Sequence, residues 1–250
     1  QYNALGHSST HTLQQSGPYL YLNGTNASFG NGLAVLDLSV NPEQPVLRGK
    51  WPDMYVHDCR VVNDTIWACN IYDGKISVIN AVNKNNLTNV TNWVDGPNPF
   101  PHSCALTTDR KYIYTTDETF TPPGRLKVWN IQDLSNVLLE KIWIPSEIFK
   151  NCAVHNVELY GNLLVSVYYG AGVKLFDISN PVNPVELGWY DTCPENNVGG
   201  PREGGWGIYM FPSGKIISTD FQNGFFVLRY QPHEVEELKN VLLQNVWLYV

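Results

Sequence analysis

The sequence predicts an all-β protein, a β-propeller of about five four-stranded blades. Three observations carry that expectation. The first is composition. Only 16% of the 250 residues are charged and 12% are aromatic, with 20 Gly and 16 Pro. That is a strand-and-turn inventory rather than a helical one. The second is a repeat. Five times a Gly leads an alternating apolar run: "GLAVLDLS" from Gly32, "GKISVINA" from Gly74, "GRLKVWNI" from Gly124, "GVKLFDIS" from Gly172 and "GFFVLRYQ" from Gly224. Successive runs are 42, 50, 48 and 52 residues apart. Periods of about 40–50 residues with several strands each indicate propeller blades. The third is that every repeat shows three further strand-like runs around the Gly-led one.

Taken in order, the first strand of each unit is short and often carries a His: "THTL", "VHDCRVV", "PHSCALT", "VHNVELY" and, in the last unit, "GWGIYMF". A turn follows at Ser16-Gly17, Asn63-Asp64, Asp109-Arg110, Gly161-Asn162 and Ser213-Gly214. Gly, Asn and Asp tolerate the positive φ such turns need. The second strand is "YLYLNG", "TIWACN", "YIYTTD", "LLVSVYY" or "KIISTD", and the third is the Gly-led run. The fourth is "PVLRGKW", "VTNWVD", "VLLEKIWI", "PVELGWY" and, in the last unit, "VLLQNVWLYV". The blades then run over 11–51, 55–95, 101–145, 153–190 and 204–250 within a single domain, 1–250. They make either a closed five-blade ring or part of a larger one. Asp37 and Asp177 at the ends of third strands are expected to open Asx turns, and the Asn-Pro steps after them stop the ladder because Pro has no N–H to donate.

Bulk properties exclude some roles. The net charge is −7 and the pI about 5.3, so nucleic acid, which demands a basic footprint, is not an expected partner. No run approaches the ~20 apolar residues of a membrane helix. The chain opens at Gln1 with no initiator Met and no leader, as a processed form or a fragment would. None of Cys59, Cys69, Cys104, Cys152 and Cys193 sits in a CxxC pair, which argues against a thiolate zinc site. Cys59 and Cys69 flank the Asn63-Asp64 turn as a candidate disulfide. Cys104 and Cys152 are further candidates, and Cys193 is the natural odd thiol. Five Asn-X-Ser/Thr sequons, at Asn23, Asn26, Asn63, Asn86 and Asn89, are candidate glycosylation sites. Sequons and bridges together point to an exported, extracellular or cell-surface protein.

"GLAVLDLSVNPEQPVLRG" and "GVKLFDISNPVNPVELG" resemble LVIVD repeats. The order "VHDCRVV", "PHSCALTTDRKYIYTTDE", "VHNVELYGNLLVSVYYGAGVKLFDISNP", "DTCPEN" and "GGWGIYMFPSGKIISTDFQNGFFVL" resembles the choice-of-anchor B family, over roughly residues 11 to 230. The resemblance implies a β-propeller at a cell surface or beyond it. It brings no assigned reaction. Members of that family carry about two more repeat-like units ahead of "HTLQQSGPYLYLNG".

The chemistry-bearing pattern is the histidine row. His57, His102 and His155 hold one position in successive blades, His11 holds it in the first, and Trp206 stands there in the fifth. First strands line the centre of a propeller, so these imidazoles are candidate ligands for a transition metal. Asp58 and Glu118 are candidate carboxylate ligands or second-layer supports. The alternative is that a repeated His is the repeat's own structural device. Asp117, Glu118, Asp191 and Glu195 are candidates for calcium or for paired-carboxylate chemistry, against the plainer reading as turn caps. Glu195, Asn196 and Trp206, on or beside the Gly-rich "NNVGGPREGGW" loop, are candidate ligand contacts. Trp51, Trp93, Trp143 and Trp189, on or beside fourth strands, read as inter-blade packing ahead of sugar stacking. The function expected first is a non-catalytic binding or scaffold module for a protein or glycan. The alternative is a metal-dependent oxidoreductase or hydrolase. The apolar 240–250 segment offers assembly with another chain if it is not the last outer strand.

Overall fold

The structure, a computed structural model, describes residues 4–119, 125–144, 152–195 and 203–231. Its strands fall into consecutive antiparallel meanders. The first sheet holds β1 (Thr12–Ser16), β2 (Tyr19–Asn23), β3 (Leu33–Asp37) and β4 (Val46–Trp51). The second holds β5 (Asp58–Val62), β6 (Thr65–Asn70), β7 (Lys75–Asn80) and β8 (Thr88–Val94). The third holds β9 (Pro101–Leu106), β10 (Tyr112–Asp117), β11 (Leu126–Asn130) and β12 (Leu138–Trp143). The fourth holds β13 (Val154–Tyr160), β14 (Leu163–Tyr168), β15 (Gly172–Asp177) and β16 (Val185–Tyr190). The fifth shows three strands among the described residues, β17 (Gly205–Met210), β18 (Lys215–Asp220) and β19 (Gly224–Arg229). The expected fourth strand there, "VLLQNVWLYV", and the rest of the 240–250 segment lie outside the described residues. The fold is thus the all-β propeller class that the repeat predicted.

Two compact units make up the chain. One holds residues up to Cys104 together with Asp133–Val137; the other holds Ala105–Gln132 and the residues from Leu138 on. In the first, Tyr21, Leu33 and Val35 of one blade pack with Cys59, Val61, Ile66 and Ile79 of the next, capped by Trp51. In the second, Val165, Val167, Val173 and Leu175 pack with Ile208, Met210, Ile216 and Leu228. Each fully buried Val, Leu or Ile contributes about 1.5–3 kcal/mol, so the sheets are held face to face mainly by these residues. Trp143 meets Phe176 edge to face at 4.6 Å, as an inter-blade packer should, whereas Trp189 is 41% exposed.

The link from third to fourth strand has one design four times over. The last residue of the third strand accepts a backbone N–H two residues on: Ser39 to Asp37 (2.8 Å), Val82 to Asn80 (2.9 Å), Gln132 to Asn130 (3.2 Å) and Ser179 to Asp177 (2.7 Å). A second such turn follows at Asn41, Asn83, Asp133 and Asn180. The fourth strand then slips by one residue against the third, at Val35/Leu36, Val78/Ile79, Val128/Trp129 and Leu175/Phe176. The extra residue is Arg48, Val90, Glu140 or Leu187. A bulge at a fixed position raises the local twist that a propeller blade needs.

Several expectations are corrected. The first hairpin turns at Gly17-Pro18, one residue later than read, because Ser16 still pairs with Tyr19. In the third blade the expected Asp109-Arg110 turn stands, within a five-residue connection, 107–111. All five cysteines are buried free thiols, so none of Cys59, Cys69, Cys104 and Cys152 is bridged. Register explains the Cys59–Cys69 failure: Cys59 faces Ala68 and Cys69 faces Asp58. Neighbouring strand positions point to opposite faces, so the two sulfurs lie on opposite sides of the sheet. Cys69 instead meets Cys104, whose Sγ also reaches the Trp67 carbonyl at 3.5 Å. Two of the sequon asparagines are hydrogen-bonded within the fold. Asn23 is fully buried with its Nδ2 donating to Thr12 Oγ1 at 3.0 Å. Asn26 takes the Ser8 N–H on Oδ1 at 2.8 Å and donates from Nδ2 to the Gly6 carbonyl at 3.0 Å.

Candidate functional site

The histidine row splits into two kinds. His11 and His57 sit just ahead of β1 and β5 and extend them: the His11 N–H donates to the Asn23 carbonyl and the His57 N–H to that of Cys69, both at 2.8 Å. In the first unit the His11 ring lies on the His57 ring, with centroids 3.8 Å apart and planes tilted by 36°. His11 Nδ1 lies 3.1 Å from the His57 carbonyl. In the second unit His155 lies on Trp206 at 4.0 Å and 33°, with Nδ1 2.6 Å from the Trp206 carbonyl. A carbonyl only accepts, so both Nδ1 atoms carry the proton and the neutral ring keeps its lone pair on Nε2. The device is the same in both places. A first-strand histidine bonds the backbone, and stacks on the ring, of the equivalent residue one blade on. His11 and His155 are therefore clasps between neighbouring blades, and Trp206 takes the receiving role in the fifth.

His57 and His102 meet differently. Their rings are edge to face, with centroids 4.5 Å apart at 64°. Their ring nitrogens come within 4.8 Å of each other. Both are buried, at 8% and 2% exposure. Tyr55 flanks His57 with centroids 6.1 Å apart, and burial raises its phenol pKa. Two imidazole nitrogens on one tetrahedral ion at about 2.0–2.1 Å each stand about 3.3 Å apart.

The expected carboxylates have these partners. Asp58 Oδ1 accepts from its neighbour Cys59 N–H at 2.9 Å and from Thr12 Oγ1 at 3.2 Å, which ties β5 to β1. Glu118 belongs to the second unit, where it accepts the Tyr169 hydroxyl. Asp117 is fully buried and ion-paired to Lys127 at 2.8 Å and Arg125 at 3.2 Å. Asp191 takes the Cys193 N–H at 2.9 Å, and burial raises its pKa. Asp58, Asp117 and Asp191 thus have hydrogen-bond or ion-pair partners of their own. Glu195 is exposed, and Asn196 lies outside the described residues.

Around Trp206 the second unit gathers an aromatic cluster that sequence reading left out. Phe221 meets Trp206 edge to face at 4.5 Å, and Tyr169 stands 5.8 Å from Trp206 and 5.3 Å from His155. Two glycines let it form. Gly204 has φ +86°, and a Cβ there would lie 2.3 Å from the Tyr169 carbonyl oxygen. The Gly205 N–H donates to that same oxygen at 2.9 Å. The buried lysines were also missed. Lys127 and Lys174 hold one position in consecutive third strands, where the first two blades have Ala34 and Ser77, and Lys174 pairs with Glu186 at 2.9 Å. A Lys in an apolar alternation was the available signal. Burial pushes the Cys152 thiol up to about 11 and lifts Cys59 and Cys69 well above the ordinary range, which disfavours the nucleophilic thiolate at these three.

Fold and repeat together define the class: an all-β propeller built from four-stranded meanders. More particularly, residues 9–52 and 153–192 match the LVIVD repeat. No curated protein matches the chain. Among solved structures the chain is similar to a protein from Lactobacillus plantarum, at TM-score 0.66 and 11% identity over 86% of this chain and 64% of that one. It is also similar to a putative 6-phosphogluconolactonase from Bacteroides fragilis, at 0.63 and 13% over 88% and 65%. A periplasmic gluconolactonase of Pseudomonas aeruginosa, PpgL, gives 0.62 and 13% over 86% and 64%. The chain spans less than two thirds of the length of each.

Proposed function

We propose that the chain is the propeller, or part of the propeller, of an exported binding module, and that His57 and His102 hold a transition metal ion at its ligand site. The observation that carries this is the buried edge-to-face pair of imidazoles with nitrogens inside 4.8 Å. It departs from the stacked clasp that the other first-strand histidines use. Neutral imidazole suits zinc, copper, nickel and iron. A propeller frame holds loops of variable sequence around such a site, and the partner is a protein or glycan at the cell surface. The resemblance to the choice-of-anchor B family supports export. The test is calorimetric titration of chelator-stripped protein with zinc, copper and nickel salts. Saturable binding near one equivalent, lost in the His57→Ala, His102→Ala pair, is the expected result. Equal heats in parent and variant would refute it.

A second reading is hydrolysis of a cyclic sugar ester. It is favoured by the similarity to a gluconolactonase and a putative 6-phosphogluconolactonase, and by imidazole as the commonest general base. Acid release from a sugar lactone, followed in a pH-stat above the uncatalysed rate and abolished in the same variant, would put this reading first. No release above that rate leaves the binding module.

A further inference from the structure

The outer strands of the blades differ in how they protect their open edge. The terminal strand of a sheet presents unpaired backbone groups, and charged residues on it are a common guard against edge-to-edge pairing. β4 carries Arg48 and Lys50, β12 carries Glu140 and Lys141, and β16 carries Glu186. β8, "TNVTNWV", carries no charge at all. It ends its sheet, and it exposes Val90 at 52% and Val94 at 57%. Val90 is the bulged residue of this blade, at the place that Arg48 and Glu140 hold in two others. Alone among the four described outer strands, β8 is left as a bare, β-prone edge.

The same edge carries exposed sequons. Asn89-Val90-Thr91 lies within β8, and Asn86-Leu87-Thr88 runs into it, with Leu87 buried as an anchor and Asn86 and Asn89 both exposed. A third exposed sequon asparagine, Asn63, sits at the same corner of the blade. The Asp64 carbonyl beside it accepts the Ala81 N–H at 2.8 Å, and the Asp64 carboxylate pairs with Lys84 at 2.8 Å. The other two sequon asparagines, Asn23 and Asn26, hydrogen-bond through their side-chain amides, and Asn23 is fully buried.

We propose that Asn86 and Asn89, with Asn63 beside them, carry N-linked glycans, and that these do for β8 what charge does for the other outer strands. The attachment forms a bond from the asparagine amide nitrogen to the sugar anomeric carbon, with a lipid-linked oligosaccharide as donor and its pyrophosphate carrier as leaving group. The proposal rests on the export reading above. Glycan occupancy is read site by site on the native protein, fractionated from its source cells and released enzymatically in heavy-oxygen water. Modified Asn63, Asn86 and Asn89 with unmodified Asn23 and Asn26 is the expected pattern. Exported protein with bare Asn86 and Asn89 overturns this proposal alone; native protein recovered from the cytosol overturns it and the export reading together. The guarding role is read by sedimentation of protein with and without its sugars. The stripped form should shift from monomer to dimers and larger species, and Val90→Lys should return the stripped form to monomer. Stripped protein as monomeric as the glycosylated form would remove the guarding role.

Discussion

Single residues hold the blades in place, and their contributions are separable. His155 donates one hydrogen bond and stacks on Trp206. His155→Ala should cost about 2 kcal/mol, from a neutral bond of about 1 kcal/mol and an aromatic pair of about 0.5–1.5, read as a fall in the urea midpoint with a changed Trp fluorescence. Gly204→Ala should be worse, about 2–4 kcal/mol, because it combines a positive φ with a backbone clash. Charge works at this scale too. The Ser39 hydroxyl and N–H, and then Arg48, bring the Asp37 carboxyl down to about 2, and Ser179 lowers Asp177 likewise. A carboxyl depressed in the folded state stabilises the protein above its unfolded pKa of about 4, and that contribution is lost as pH falls through the folded value. The urea midpoint should therefore drop between about pH 4 and pH 2, and Asp37→Asn should flatten that drop. An unchanged slope in the variant would show that Asp37 has no part in it. The Asx role of Asp37 and Asp177 was legible because Asp-x-Ser running on into Asn-Pro is a local pattern. The ion pairs of Asp117 were not, because their partners, Lys127 on the next strand and Arg125 just ahead of it, meet Asp117 only through register.

At the level of elements, the Gly-led runs gave the third strands and the turn residues gave the hairpins. The third strands of the first four blades are buried on both faces, and a short apolar run bounded by turn residues is a strong local signal of that. The bulge that recurs between third and fourth strands left no mark in the sequence: Arg48, Val90, Glu140 and Leu187 share no chemistry, and what they share is backbone position. Register also decided the fate of the thiols. Symmetry about the Asn63-Asp64 turn suggested a bridge, but Cys59 falls one residue out of step with Cys69 and faces the other way. Native protein should give close to no reaction with a thiol reagent at neutral pH, and about five equivalents after unfolding in denaturant. A fast-reacting equivalent in the native state would contradict the burial of these groups.

For the molecule as a whole, repeat spacing announced the propeller class before any strand was placed, because a unit of about 40–50 residues with four strand signals has few other solutions. The site was legible in part. The sequence singled out His11, His57, His102 and His155 as one row, yet it gave no means of telling a clasp from a ligand, since that depends on ring orientation and on which carbonyl each Nδ1 meets. The structure divides the row by ring geometry, stacked for His11 and His155 and edge to face for His57 with His102, and the function proposed above rests on reading the first kind as clasps and the second as ligands. Metal content of untagged protein, measured by elemental analysis after reloading with zinc, copper and iron in turn, tests it most directly. The parent, His11→Ala and His155→Ala should each retain near-stoichiometric metal while folded, and the His57→Ala, His102→Ala variant should hold none. Metal lost equally in the clasp variants, or absent from the reloaded parent, would contradict that reading and make the whole row structural.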